Sequence, residues 1–327
     1  MATINMKPKA PSIDFIKYLV DLSVDIAEPT PLISFIEKPV MTRGNISCIS
    51  GQAKSRKTFF VIRLVADLLE DDDSVRVVIF DTEMGKYNTH KTANRIHRLL
   101  DWENKNDERL HVYNLRELGT EQRKEFITEA IKHFKYDFVV IDGVKDICCS
   151  INDEREATDI TNLLMKLSSE YNCHICCCLH ENKGGGNGII REVRGHLGTE
   201  VVNKCETVIS VTKEGDTSKA EARFCRGADF DPIYFRIVDG LPEYCETIIQ
   251  SKVSNKLKLL FDELLSEGAT LPHSILCDKI MEHCGVLKRG AEKKIKNAIA
   301  QNIIVKNAVG HYHSFGISLS TETEINF

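Results

Sequence analysis

Ile49-Ser50-Gly51-Gln52-Ala53-Lys54-Ser55-Arg56-Lys57-Thr58-Phe59-Phe60 decides how this chain is read. A short apolar run at 46–49 leads into it, and an apolar helical run at 59–69 leaves it. A strand, a loop and a helix in that order, with the spacing GxxxxGK[ST], form a cradle for phosphates. Backbone N–H groups of Gly51, Gln52, Ala53, Lys54, Ser55, Arg56, Lys57 and Thr58 would face the anion, where a helix N-terminus favours negative charge. Lys57 would reach the β/γ-phosphates and the Thr58 hydroxyl would hold Mg²⁺. One position departs from the pattern: Arg56 stands where glycine is expected. Glycine there permits positive φ; an arginine is expected to take more ordinary dihedrals and to bring a charge near the nucleotide.

Working outward, the chain from residue 44 alternates strand and helix, which predicts an α/β fold with a mostly parallel, doubly wound sheet. Expected strands lie at 46–50, 75–80, 111–115, 138–141 and 174–179, with helices at 57–70, 86–102, 120–134 and 155–170. Nearly all-apolar strands fit a sheet covered on both faces. Runs at 207–212, 220–225 and 233–238 lack long helices between them and predict antiparallel strands at one edge. In open α/β sheets chemistry collects past the carboxyl ends of the strands. There the sequence has Asp81-Thr82-Glu83-Met84, then Asp142, then His180-Glu181-Asn182-Lys183. Asp142 is the expected Walker B acid, orienting Mg²⁺ through a water. Glu83 would polarise the attacking water or accept its proton. His180 would hydrogen-bond the γ-phosphate and report its loss. A lone acid at a strand end is ordinarily a solvated cap; three such ends beside one phosphate loop make a site.

Before 44, Ile13, Phe15, Ile16, Leu19 and Val20 predict a short amphipathic helix ahead of a proline-containing segment. It would pack either on a neighbouring subunit or over its own sheet. After His180, glycines 184–186 and 188 precede Arg191 and Arg194. This stretch reads as a flexible lid or as a channel loop with both arginines near DNA phosphates.

These pieces resemble the RecA-like ATPases, most closely the plasmid RepA-type hexameric helicases and the AAA proteins of bacterial mobile elements; the replicative DnaB helicases are more distant. The resemblance covers roughly residues 30–240. It implies ATP hydrolysis with Mg²⁺, a homo-oligomer with a hexamer favoured, and a glutamate where Glu83 stands. It also implies an arginine finger late in the core, for which Arg226 is the best match and Arg223 the second.

Residues 252–315 carry a balance of +4 against −7 for residues 1–251. Apolar stripes predict three helices there, the second burying Ile275, Leu276, Ile280 and Cys284. The third, at 287–301, would turn Lys288, Arg289, Lys293, Lys294 and Lys296 mainly outward. Runs at 303–306 and 311–315 predict a hairpin. Three helices and a hairpin suggest a winged helix on DNA, although such units also bind proteins. The expected division is an arm at 1–40, the ATPase core at 41–250, the small unit at 251–318 and an acidic tail at 319–327.

With 42% hydrophobic and 28% charged residues in 327, the composition is that of a globular protein. No apolar run approaches the 18 or so residues of a membrane span, and no signal-peptide core is present. Twelve cysteines sit mostly in apolar runs or as an adjacent pair, with no CxxC…CxxC spacing, which predicts free thiols in the cytoplasm rather than disulfides or metal. The function classes left open are a DNA-acting ATP-driven motor, a nucleotide-gated DNA-binding regulator with little hydrolysis, and a recombinase-like filament ATPase.

Overall fold

A computed structural model describes residues 15–35, 38–103, 106–182, 193–245, 255–266, 269–300, 303–307 and 309–315. Strands β1 (Pro31–Phe35) and β2 (Lys38–Thr42) form a hairpin of their own. The main sheet collects β3 (Ile46–Gly51), β4 (Val77–Asp81), β5 (Leu110–Asn114), β6 (Phe138–Asp142), β7 (His174–His180), β8 (Thr207–Glu214), β9 (Thr217–Cys225), β10 (Ile233–Val238) and β11 (Leu241–Tyr244). Their spatial order is β11-β10-β9-β8-β3-β7-β6-β4-β5. The six strands from β8 to β5 run parallel, and β9, β10 and β11 continue the sheet antiparallel. The core is therefore α/β with a mostly parallel sheet and antiparallel edge strands, as a RecA-like fold requires.

The strands alternate their side chains between two apolar layers. Ile49, Val77, Ile79, Val140, Cys176, Cys178 and Ile209 pack on one face under helices α1 (Lys57–Asp71) and α2 (Lys86–Leu100). Cys48, Val78, Phe80, Val139, Ile141, Cys177 and Val208 pack on the other, under α3 (Thr120–Phe134), α4 (Glu154–Glu170) and α5 (Gly195–Lys204). Cover on both faces explains why β3, β4 and β7 alternate little between polar and apolar. Helix α1 is buried nearly all round, from Phe60 to Leu69, so it lies inside the fold rather than on it. Its buried ion pair of Arg63 with Asp67 is completed by the Tyr244 hydroxyl donating to Asp67 Oδ2 at 2.7 Å. That contact ties the far antiparallel edge to the helix leaving the phosphate loop.

A third apolar layer lies in the C-terminal part. Helices α6 (Asn255–Leu264), α7 (His273–Cys284) and α8 (Lys288–Ala300) enclose Leu260, Phe261, Leu276, Ile280, Ala291 and Ile295. A three-stranded sheet joins them, in the order β12 (Leu271–Pro272), β14 (His311–Ser314), β13 (Ile304–Lys306). Two details differ from expectation. Ile275 is exposed and Cys277 takes the buried place beside Leu276. Lys293 and Lys294 do not point outward: Lys293 Nζ donates to Leu99 O at 3.0 Å, and Lys294 Nζ lies 3.5 Å from Glu70 Oε1. The carbonyl end of α2 attracts a cation, and α1 presents an acid beside it, so the core claims both lysines.

The helix expected before residue 20 is, among the described residues, only a 3-10 turn at Ile16–Tyr18, and residues 15–31 are exposed. All twelve cysteines are free thiols. No helix among the described residues is long and apolar enough to cross a membrane.

Candidate nucleotide site

Register brings the polar strand ends to one edge. Gly51 stands opposite His180, and Asp81 opposite Asp142, with β7 between the strands of Gly51 and Asp142. The phosphate loop, residues 51–58, leaves β3 at this edge, next to β8. A Cβ at Gly51 would stand 2.5 Å from Val211 O and 2.6 Å from Ser55 Oγ, so only glycine lets the loop turn this close to β8.

Lys57 opens α1 and folds back into the loop. Its Nζ donates to Gly51 O at 2.8 Å and to Gln52 O at 3.0 Å, and lies 3.5 Å from His180 Nδ1. Burial lowers the pKa of this ammonium, while Cys178, Asp142, Glu181 and Glu83 oppose the shift. His180 Nε2 lies 3.2 Å from Glu83 Oε2. A neutral imidazole with its proton on Nε2 satisfies both contacts, accepting from Lys57 and donating to Glu83. Lys57, His180 and Glu83 thus form one polar chain across three elements. Burial would raise the Glu83 pKa, but the His180 hydrogen bond together with the Lys145 and Lys57 charges carries it below the usual carboxylate value. Glu83 is therefore held as an anion.

Thr58 Oγ1 donates to Asp142 Oδ2 at 2.9 Å. Burial and the neighbouring Asp81 raise the Asp142 pKa against the pull of Thr58 and Lys57. A crowded, desolvated carboxylate beside a hydroxyl is the donor set a hard divalent cation takes, with oxygen ligands and room for waters. Ser55 Oγ is buried and without a hydrogen-bond partner among the described residues. An orphaned hydroxyl in a loop that opens a helix N-terminus calls for a partner, and the helix end favours an anion there. The loop fits a nucleotide polyphosphate, and Thr58 with Asp142 fits its Mg²⁺.

Asp81 and Thr82, expected only as polar strand-end residues, hold Glu83 in place with Thr89 and Asp146, which the sequence did not single out. Asp81 accepts from the Glu83 and Met84 N–H groups at 3.1 and 2.9 Å, and from Thr89 Oγ1 at 2.5 Å. Thr82 Oγ1 reaches Asp146 Oδ2 at 2.8 Å and Gly143 O at 3.0 Å, fastening the Glu83 turn to the Asp142 turn. A short polar residue directly past a strand is an Asx- or ST-turn signal, and Asp81-Thr82 carries it. Glu181 is also buried, accepting from Ser50 Oγ at 2.8 Å and Ser210 Oγ at 2.9 Å. Arg223 Nη1 stands 4.0 Å from the same carboxylate.

Other expected site residues lie elsewhere. The Arg56 side chain turns away from the phosphate cradle, toward the β8–β9 hairpin, and its φ of 71° is left-handed rather than ordinary. Arg226 follows Cys225, which pairs with Thr207 beside Ser47 at the amino end of β3. It thus sits at the edge opposite the phosphate loop, with Nη2 donating to Lys204 O at 3.1 Å. Arg194 is exposed at the start of α5, and its N–H donates to His180 O at 3.0 Å. Arg191 and the glycines at 184–188 lie outside the described residues. Lys288, Arg289 and Lys296 are exposed on α8.

This edge, on this sheet, defines a P-loop ATPase. A family model described as an AAA domain matches residues 11–186, more than half of the chain, and the chain belongs to that family. No curated protein matches it.

Proposed function

We infer that the protein is an ATP-driven motor acting on DNA, of the kind represented by RepA-type helicases in plasmid or mobile-element replication and mobilisation. The observation that carries the reading is the convergence of Lys57, Thr58, Glu83, Asp142 and His180 on one sheet edge. Lys57, now satisfied by loop carbonyls, would exchange them for the β- and γ-phosphate oxygens. Thr58 and Asp142 would hold Mg²⁺, which neutralises phosphate charge when bound. Glu83, kept ionised, would orient water in line with the γ-phosphate. His180 would sense that phosphate by giving up its place between Lys57 and Glu83. Most of the rate would come from positioning and charge stabilisation.

DNA as partner is supported by the C-terminal unit. Three helices and a three-stranded sheet with a basic third helix resemble the plan of a winged helix, and Lys288, Arg289 and Lys296 are exposed on that helix. A homo-oligomer, with a hexamer favoured, is supported by the exposed apolar segment carrying Ile16, Leu19, Leu22 and Ile26. Arg226 lies too far from its own loop to serve it, so a finger role would be exercised on a neighbouring copy's nucleotide. The second reading, a nucleotide-gated DNA-binding regulator with little hydrolysis, is favoured by Arg56 standing in the loop where the pattern has glycine.

ATP turnover with and without single-stranded DNA separates the two. A motor shows DNA-stimulated turnover, lost at least about a hundredfold in Lys57→Ala and strongly reduced in Arg226→Ala with nucleotide affinity kept. ATP-dependent DNA affinity without turnover establishes the regulator. Unchanged nucleotide binding and turnover in Lys57→Ala refutes the reading of the loop.

A further inference from the structure

Arg56 occupies the loop position at which the GxxxxGK[ST] pattern has glycine, and it does so in the conformation glycine would supply, φ 71° and ψ 24°. A side chain in that region costs about 1–2 kcal/mol against an ordinary conformation. Such a residue persists only where its surroundings over-determine it. Here the surroundings are identifiable. Arg56 Nη1 donates to Asp216 O at 2.7 Å and lies 3.2 Å from Ser218 Oγ. Asp216 is in the turn between β8 and β9, and Ser218, fully buried, pairs across the sheet with both Lys213 and Phe235. The anchor is therefore the β8–β9 hairpin of the antiparallel edge, 160 residues away in sequence, through an exposed turn carbonyl and a buried strand hydroxyl.

The backbone side of Arg56 is equally placed. Its carbonyl accepts the first hydrogen bond of α1, from Phe60 N at 3.1 Å. Fixing Arg56 fixes where the helix begins, and so where the Lys57 and Thr58 N–H groups point. With Gly51 held against Val211 at the other end of the loop, the cradle is supported from β8 and β9 at both ends.

We propose that Arg56 is a positioning residue that ties the phosphate loop to the β8–β9 hairpin and thereby sets nucleotide affinity. This rests on the reading that residues 51–58 bind the phosphates. The arginine replaces glycine's conformational freedom with a tether, so the exposed hairpin turn becomes a place from which the nucleotide site can be tightened or loosened.

Four full-length variants test it: Arg56→Gly, Arg56→Ala, Arg56→Lys and Lys57→Ala. MgADP affinity by titration calorimetry, ATP KM and kcat, and amide exchange at residues 213–218 are measured for each. Glycine relieves the left-handed strain and removes the tether; alanine keeps the strain and removes the tether; lysine keeps a shortened donor. The tether predicts that Gly and Ala both bind MgADP roughly tenfold more weakly, about 1.4 kcal/mol, and that Lys recovers part of the loss. KM rises more than kcat falls. MgADP slows exchange in the hairpin of the wild type and of Arg56→Lys, but not of Arg56→Gly. If Arg56→Gly binds MgADP as tightly as the wild type while Lys57→Ala does not, the tether is refuted and the phosphate reading stands. If the wild type fails to bind MgADP, or Lys57→Ala binds it normally, both fall together.

Discussion

Asp142 is held where its charge is penalised: burial and the nearby Asp81 push its pKa up, and the Thr58 hydroxyl and Lys57 only partly offset them. A carboxyl whose folded pKa is raised contributes stability below its ordinary value of 3.8, and that contribution is lost as pH rises through the folded value. At neutral pH the Asp142 carboxylate is therefore a destabilising anion, which a bound cation would neutralise. Asp142→Asn should raise the melting temperature at pH 7 while abolishing Mg²⁺-dependent turnover, and the gain should shrink as pH falls toward 3.8. Differential scanning calorimetry from pH 7 to 4 measures this; a lower melting temperature at pH 7 would show that Asp142 stabilises the apo fold. Asp142, Glu83 and His180 were legible in the sequence because a polar residue past an all-apolar strand has one plausible address, the sheet's carboxyl edge. The conformation of Arg56 was not, since its partners at 216 and 218 become neighbours only when β8 and β9 pair beside the loop. Nor were Lys293 and Lys294: a lysine stripe reads as solvated until a helix end is found against it.

Among the elements, the two turns after β4 and β6 act as one. Thr82 bonds across to Gly143 O and Asp146, and Gly143 has φ 106° with room for no side chain: a Cβ would stand 2.3 Å from Thr82 Oγ1. Gly143→Ala should therefore cost about 1–3 kcal/mol in stability and displace Glu83 with the Thr82 turn. Urea denaturation reads the first effect. The second predicts a kcat loss exceeding that of Thr82→Ala, which removes the bonds without the collision. Equal kcat in Gly143→Ala and wild type would uncouple the turns. The parallel strands β3 to β7 and helices α1 to α4 were legible, with boundaries within a few residues, because burial on both faces leaves a continuous apolar signature; β8, expected at the antiparallel edge, instead pairs parallel with β3, since helix α5 carries the chain back before it. Strands β1, β2 and β11 were not. Pro31, Pro39 and Pro242 argue against a strand, yet proline is tolerated at edges and in two-stranded ribbons. Helix α5 was also missed: Gly195 and Gly198 weaken its intrinsic preference, and packing holds it, with Leu197 and Val201 buried and Gly198 fitting closely against Val193.

Across the whole molecule, the C-terminal unit sits against the core through the very helix proposed to meet DNA. Trp102 and Val286 form an isolated bridge, Gly290 packs beside Asp101, and Lys293 and Lys294 engage Leu99 O and Glu70. Burial lowers the Lys293 pKa, partly opposed by Glu70. Glu70 in turn is drawn below its usual range by Lys293, Lys294 and Arg63 despite its own burial. These are working structural contacts, and they leave Lys288, Arg289 and Lys296 for phosphates. Salt dependence separates the two sets, because each phosphate contact adds about 0.9 to the slope of log K against log salt. Replacing Lys288, Arg289 and Lys296 together by alanine should reduce the slope for duplex DNA by about 2–3, with ATP turnover in the absence of DNA retained. Replacing Lys293 and Lys294 should leave the slope unchanged and lower the protein's melting temperature, since their contacts are with the core. Fluorescence anisotropy across a salt series decides between them. An equal loss of slope in the second variant would mean that the unit leaves the core to bind DNA, exchanging Glu70 and Leu99 for phosphate; no loss in the first would place the DNA on another surface.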